Sequence, residues 1–551
     1  MSRGRRLSAP RADGGVLIDP DWSAIRELID RNRAAAANHD SVVIAGESLA
    51  WLAEKARSGL LREAFHYTSQ YRNASQPASD RILLAGHQPE LFHVGVWMKN
   101  FVLAGLARET GATAVNLVID GDTIKSPSIR VPTGSLDEPR AESVPFDAAA
   151  DEIPWEERGV VDSAMFESFG RRAAETIRLF VAQPMIESMW PKIVAATKRT
   201  GRIGLGIAQA RHALEGEWGL DTLELPQSRV CDTPEFRRFA WHLLAELPRF
   251  VEIHNRTLVE YRLQENIRST HHPVPKLERD GEWLEAPLWL WTSDSSYRRR
   301  PMVRRVGDEI EITDRVNVTF RLPTSGEDAA WKSVEILAEQ AKRGLKIRSR
   351  ALITTMYARL VLSDLFIHGI GGGKYDELTD LLIERFFNIQ PPGYVVATAT
   401  RRLPIAPGSL TSQLLLAAEE DALMSEAVLR HRLWELKYHP ERSIDPDQLP
   451  TPDAAARAKR MIAEKRALTA TDVDPLPPGT SARERCHTIR ALNEGLQEFV
   501  DLQRKMLKDR QATVQRAERA WSILGSREYS AYLFPEDDLR NFLLAISARG
   551  R

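Results

Sequence analysis

The stretch "DRILLAGHQPELFHVGVWMKNFVLAGLARETGATAVNLVIDGDT" constrains the fold more than any other part of the chain. A short apolar run from Ile82 to Ala85 enters a Gly/Pro turn, a helical pattern continues through Leu106, and a second apolar run follows from Val115 to Ile119. Two buried-type runs joined by a helix of this length form a βαβ unit, whose strands must be parallel and whose crossover is almost always right-handed. A second unit of this kind is predicted in "SDLFIHGIGGGKYDELTDLLIERFFNIQPPGYVVATAT", with Leu365 to His368 as strand, Gly369 to Gly373 as turn, Tyr375 to Phe387 as helix and Tyr394 to Thr400 as strand. Ligands of such sheets sit beyond the carboxyl ends of the strands. The turns Gly86-His87-Gln88 and Asp120-Gly121-Asp122 are therefore expected to line one crevice.

The expected fold is α/β: a Rossmann-like parallel sheet core, a large α+β insertion and a C-terminal helical coiled-coil arm. Residues 1–134 carry the first half of the core, with 1–15 as a flexible arm. Residues 135–345 are the insertion, helical around 160–265 and then β-rich, and its "VGDEIEI" reads as a hairpin turn. Residues 346–407 complete the core, and 408–551 form the arm. In the arm, "SLTSQLLLAAEEDALMSEAVLRHRLWELK" and "HTIRALNEGLQEFVDLQRKMLKDRQATVQRAERAW" read as two long helices. Ile489, Leu492, Leu496, Phe499 and Met506 approach the three-four alternation of a coiled-coil seam. Proline-rich connections, "DPDQLPTP" and "DVDPLPPGTSARE", flank a shorter helix between them. The arm can close on itself as a hairpin or pair with a second copy as a homodimer.

With 75 Lys and Arg against 76 Asp and Glu in 551 residues, net charge gives no reason to expect nucleic acid or an anionic membrane as partner. No run reaches the roughly 18 apolar residues of a membrane helix, and no apolar segment follows the basic N-terminus. Cys231 and Cys486 lie far apart, which excludes a disulfide framework and suits a reducing compartment. A cytoplasmic protein with a small-molecule substrate is the expectation.

Gly86 permits a tight strand-to-helix turn, and the N–H groups opening the next helix suit a phosphate or carboxylate. His87 and Gln88 stand where such a sheet presents groups to a ligand. They could equally cap the helix. A metal held by His87, His93, Asp120 and Asp122 is set aside, because a six-residue histidine spacing fits neither a helical pair nor a finger. Asp120 and Asp122 instead suit an amine, a nucleotide-bound magnesium or a general base, or simply close a strand. "GIGGGKY" fails as a Walker loop: three residues separate Gly369 from Gly373-Lys374, and Tyr375 replaces the Ser or Thr. It remains a glycine turn able to hold an anion beside Lys374. Arg298, Arg299, Arg300, Arg304 and Arg305 read as a solvated strand face, with a phosphate clamp as the alternative. Trp283, Trp289 and Trp291 read as core, with Glu285 among them able to reach a ligand. "HHPVP" is a rigid turn leading into that segment.

Gly86, Gln88, Pro89, Leu91 and Phe92, then Gly371, Gly372 and Tyr375, and the ending "REYSAYLFPEDDLRNFL" give the chain its resemblance to the bacillithiol biosynthesis cysteine-adding enzyme family. The resemblance implies a ligase that condenses cysteine with glucosaminyl-malate, and a nucleotide site associated with the helical arm. It departs from the family at His87, where a glutamine is usual, and at Phe101, where a helix lysine is usual and Lys99 comes two residues early. In the second turn Ile119, Asp120, Gly121 and Asp122 replace Glu-Asp-His-Asp. The implied activity is a carbon–nitrogen ligase joining a cysteine-like amine to a small carboxylate- or amine-bearing glycoside. His87, Asp120 and Asp122 would be catalytic, and Gly86, Gln88, Gly371, Gly372, Lys374, Tyr375 and Glu285 would bind substrate. No metal is assigned, and ATP or ADP is the expected activator. The alternative is a non-catalytic small-molecule or nucleotide-binding protein that dimerises through its arm.

Overall fold

The computed structural model describes residues 7–37, 39–77, 79–136, 138–405, 426–470 and 481–549. They form two compact units, one comprising Met1–Val131, Glu142–Pro404 and Arg527–Arg551, the other Pro132–Ala141 and Ile405–Ser526. The stretch expected as an insertion thus belongs almost entirely with the sheet. Residues 527–551, expected in the arm, return to it as well.

The chain is a mixed α/β protein. Its main sheet has six strands: β1 (Val16–Asp19), β2 (Ile82–His87), β3 (Thr113–Val118), β4 (Leu223–Pro226), β5 (Leu365–His368) and β6 (Val395–Ala399), in the spatial order β1-β6-β5-β2-β3-β4. The neighbours β6/β5, β5/β2, β2/β3 and β3/β4 are parallel, and β1 closes the β6 edge antiparallel. β3, β5 and β6 are buried along their whole length, as are the first four residues of β2. A parallel sheet covered on both faces has no solvent side, so its strands read as apolar runs without alternation.

From β2 the chain steps to β3 and β4 on one side, then returns to lay β5 and β6 on the other. The order therefore reverses between β2 and β5, and the connections after these two strands diverge and leave a gap at their carboxyl ends.

Helix α1 (Val94–Thr110) follows β2 and is buried over most of its circumference. It ends at Gly111, whose φ of 63° is the left-handed cap. One of its sides faces the sheet and the other meets the C-terminal helix Glu536–Ser547, which approaches closely at Gly105: a Cβ there would lie 2.7 Å from the Ser547 carbonyl oxygen. A helix covered on two sides has little use for a polar stripe.

Helix α2 (Ile203–Glu217) lies between β3 and β4 in sequence, and α3 (Ile370–Phe387) follows β5. The expected glycine turn from Gly369 to Gly373 is replaced by helix: Gly369 is the N-cap and the glycines form the first turn of α3. Glycine is a poor helix former, but at 373 it is required by packing: a Cβ there would fall 2.6 Å from the Val396 side chain on β6.

The β-rich stretch forms a five-stranded sheet between Arg279 and Pro323 and a three-stranded sheet that includes Leu288–Thr292. The "VGDEIEI" hairpin pairs Met302–Val306 with Glu309–Thr313 and turns at Gly307, φ 61°.

In the second unit the expected long helix is broken. Ala482–Leu496 ends in a 3-10 turn, and Asp501–Leu524 begins afresh. At the break Val500 is buried, and Gln497 donates to the Leu436 carbonyl oxygen, in the last turn of the helix Glu426–Tyr438, at 2.9 Å. Of the proposed seam, Leu492 and Leu496 are buried, whereas Met506 is 64% exposed. Residues 409–425 of the first expected arm helix and 472–480 of the second proline-rich connection lie outside the described residues, as do residues 1–6 of the N-terminal arm.

Asp364, immediately before β5, ties the opposite ends of these strands together. Its carboxylate accepts from the Ile82 backbone N–H at 2.8 Å and pairs with Arg33 at 3.2 Å and with Arg57. Asp364→Ala leaves two arginines facing each other beside an unpaired amide, and is expected to lower stability by about 3 kcal/mol in urea unfolding of the full chain.

Candidate functional site

The gap between β2 and β5 opens into a cleft of about 400 Å³. Its walls come from the carboxyl ends of three neighbouring strands: Gly86, His87 and Gln88 after β2, Ile119, Gly121 and Asp122 after β3, and His368 with Gly369–Gly372 after β5. Gln227, Ser349, Thr354, Thr355 and Thr398 supply further polar groups, and Arg527 reaches in from the C-terminal segment.

Asp122 anchors one side. Its Oδ2 accepts from Gln88 Nε2 at 2.7 Å and its Oδ1 from Arg298 Nη1 at 2.9 Å. Arg298 also donates to the Gly121 carbonyl oxygen, and its guanidinium lies 4.5 Å from the Trp289 ring centre. The arginine of an expected solvated face thus holds a cleft carboxylate, and Trp289 supports it by a cation–π contact.

The cleft also holds cationic groups. Lys99, 3% exposed on α1, donates to the Gly86 carbonyl oxygen at 2.9 Å, and burial together with the nearby Arg211 charge brings its ammonium down to about 8. Arg527 donates to Thr398 Oγ1 at 3.0 Å. At the N-terminus of α3 no side chain caps the free N–H groups, and a Cβ at Gly369 or Gly371 would meet nothing within 4 Å. Open N–H groups at a helix start favour an anion.

Two histidines end the adjacent strands β2 and β5, in different surroundings. The His87 Nδ1 lies 2.8 Å from the Gln88 carbonyl oxygen, and burial, reinforced by Lys99, pushes the imidazole down to about 3. It is neutral at any ordinary pH and a weak base. His368 has Nε2 2.6 Å from Asp376 Oδ2, and Asp376 in turn lies 2.9 Å from Arg359. Burial alone would raise the Asp376 pKa, but the neighbouring His368 ring and Arg359 guanidinium outweigh it and hold the carboxyl well below the usual range.

Of the residues singled out from sequence, Gly86, His87, Gln88, Asp122, Gly371, Gly372 and Tyr375 line the cleft. Three others do not. Asp120 turns into the protein, where its carboxylate accepts from the Ser228 backbone N–H at 2.9 Å and from Ser228 Oγ at 2.5 Å, binding the end of β3 to the short helix after β4. Glu285 is fully buried and pairs with Arg350 at 2.6 Å. Lys374 is exposed on α3 outside the cleft lining. Lys99 and His93, discounted from sequence, do line it. His93 accepts from the Gly95 backbone N–H at 3.1 Å as the N-cap of α1, and its Nε2 lies 3.5 Å from Glu528.

Sequence reasoning missed His368, Asp376 and Arg527. The signal for His368 was present, since it ends a buried strand before glycines just as His87 does. Arg527 opens the C-terminal "REYSAYLFPEDDLRNFL" segment, which lies against the start of α1 through Ala531 N–H to the Phe92 carbonyl oxygen at 3.0 Å. The cleft is closed by the far end of the chain.

Asp120 makes a pH dependence explicit. Burial, then the Glu156 charge, lifts it from 3.8 to about 7. An acid with a raised folded-state pKa binds its proton more tightly when folded, so its contribution to stability is present below pH 4 and lost as pH rises toward 7. Urea unfolding at pH 5 and 7 should show a loss of up to about 2.7 kcal/mol in the native protein, at 1.36 kcal/mol per unit, and a flatter profile in Asp120→Asn.

Among known proteins, no family model matches the chain and no curated protein matches it.

Proposed function

We propose that the chain is an enzyme of ligase type that acts in this cleft, joining the amine of an amino acid to a small carboxylate-bearing substrate. The observation that carries the reading is the presence in one cleft of anion-favouring groups and a fixed carboxylate. Lys99, Arg527 and the open start of α3 suit a carboxylate or phosphate, and Asp122, fixed by Gln88 and Arg298, suits an ammonium or hydroxyl group. One ligand bearing both charges, or two ligands meeting between them, would be held in register by groups that are themselves hydrogen-bonded in place.

The strand order supports a Rossmann-like core. Counted along the chain, the five parallel strands lie third, second, first, fourth, fifth, and the cleft sits at the reversal, where such sheets bind ligands. The turn after the first parallel strand lacks a G-x-G-x-x-G run, since His87-Gln88-Pro89 follows Gly86, and this argues against a dinucleotide there. The glycines fall instead after β5.

Amide formation from a free carboxylate needs activation. The unfilled space above Gly369 and Gly371 fits a phosphate, so an adenine nucleotide, as activator, would place one there and supply the leaving group. The chain's own part is to orient the acid with Lys99 and Arg527, to hold the amine near Asp122 and to accept its proton. The cysteine-adding family resembled by the "GHQPELF" turn has chemistry of this class.

A thermal-shift screen of adenine nucleotides, amino acids and carboxylate-bearing glycosides tests the reading, followed by an assay for amide product with every stabilising combination. A specific ligand raises Tm in proportion to occupancy. The expected result is a shift with at least one nucleotide or carboxylate that is lost in Lys99→Ala, and product with one amino acid. Absence of any shift across all three classes rejects it.

A further inference from the structure

We propose that His368 is the proton-exchanging residue of the cleft and that Asp376 and Arg359 position it. The inference rests on the reading of the cleft as a catalytic site, and it displaces His87 from that role.

The pair is built by backbone geometry. β5 ends at His368, Gly369 caps α3, and Asp376 comes two turns into the helix, which brings its carboxylate back to the ring, 2.6 Å from Nε2. Asp376 is fully buried, and Arg359 binds it on one side and Asp380 at 2.6 Å on the other. Tyr394 packs edge-on to the imidazole with ring centres 5.2 Å apart. Behind the ring, then, the charged groups are Asp376, Arg359 and Asp380. His87, His93, Lys99, Asp122, Tyr375 and Arg527 line the same cleft.

The second ring nitrogen has a different outlook. A Cβ at Gly372 would lie 2.6 Å from His368 Nδ1, so glycine at 372 keeps clear the space beside this atom, in the wall of the cleft. The Asp376 carboxylate, 2.6 Å from Nε2, favours the proton on that nitrogen, which leaves the lone pair on Nδ1. A ligand N–H or O–H held over Gly371 and Gly372 gives its proton to Nδ1, and the ligand atom keeps the electron pair. The ring becomes an imidazolium while Asp376 remains a carboxylate, which balances the charge. The same proton is later returned to the departing oxygen or to solvent, leaving the pair as it began. A carboxylate behind an imidazole fixes tautomer and orientation and stabilises the cation as it forms. His87 cannot do this, since its environment opposes the imidazolium.

Deuterium exchange at histidine C2–H in D2O, followed by mass spectrometry of the full chain across pH, gives a titration midpoint for each histidine. His431, exposed in the second unit, serves as the internal standard. Asp376→Asn is expected to move the His368 midpoint, with that of His431 unchanged. Gly372→Ala leaves the charges in place and is expected to slow exchange at His368 alone. In the amide assay, His368→Gln should lower kcat at least about 100-fold with KM within about threefold, and Asp376→Asn should move the acid limb of the kcat profile. An unchanged midpoint in Asp376→Asn, or unaltered kcat in His368→Gln, overturns the proposal. Turnover that persists in His368→Gln leaves the ligase reading standing without it, whereas no product from any combination removes the ligase reading and leaves the exchange result to decide the pair.

Discussion

Where the order of a parallel sheet reverses, no connection can cover the gap, and the remainder of this structure is arranged around that constraint. β2 hands the chain to α1 on its way to β3, β5 hands it to α3 on its way to β6, and the space between the two departures is the cleft. The polar groups concentrate there because the strands that deliver them are apolar along their length and change character only at their last residues. His87 and His368 are equivalent in this sense. Each is the first side chain beyond a buried run.

What surrounds the cleft is built to keep charges from relaxing. Asp122 is held by Gln88 and Arg298, Arg298 by Trp289, Asp376 by Arg359 and His368, and Lys99 by the Gly86 carbonyl oxygen. A second layer repeats the pattern deeper in. Arg211 on α2 joins Glu215 at 2.7 Å and Glu224 on β4, and Glu215 also accepts from Trp97 and Asn100 on α1. Burying such a network is rarely a gain in stability over apolar packing, but removing one member leaves an uncompensated charge. It fixes the relative positions of α1, α2 and β4, and so of Lys99.

The sheet was legible in the sequence because a parallel strand buried on both faces leaves an uninterrupted apolar run, as at Ile82 and Leu365, and because a helix of fixed length separates two of them. Gly86, Gln88 and Asp122 were legible for a related reason, since the strand ends point to them directly. Asp120 and Asp122 could not be told apart. Their spacing would put both on one side of a strand, but the strand ends at Val118 and the chain turns, sending Asp120 to Ser228 and leaving Asp122 to the cleft. The glycines after β5 read as loop because their propensity opposes helix by about 1 kcal/mol each, although the closeness of Val396 to Gly373 requires a residue without a side chain there. Once those residues are read as loop, the two-turn distance from His368 to Asp376 has no meaning, and the pair is invisible. Arg527 and Lys99 depend on contacts across most of the chain, for which no local pattern exists.

The two histidines then show how one cleft separates binding from proton transfer. A site that must both hold an anion and accept a proton faces a conflict, because cations that attract the anion oppose a further positive charge on a nearby base. Here burial, reinforced by Lys99, suppresses protonation of His87, so that position is left to packing and hydrogen bonding. At His368 the buried Asp376 carboxylate supplies the opposite field, itself sustained by Arg359, which pairs with the same carboxylate oxygen. Placing each histidine at the end of a different strand lets neighbouring helices set the two fields independently: α1 brings the lysine, α3 the aspartate. The division follows from the reversal in strand order, since only there do two strand ends share one cleft while their following helices go separate ways.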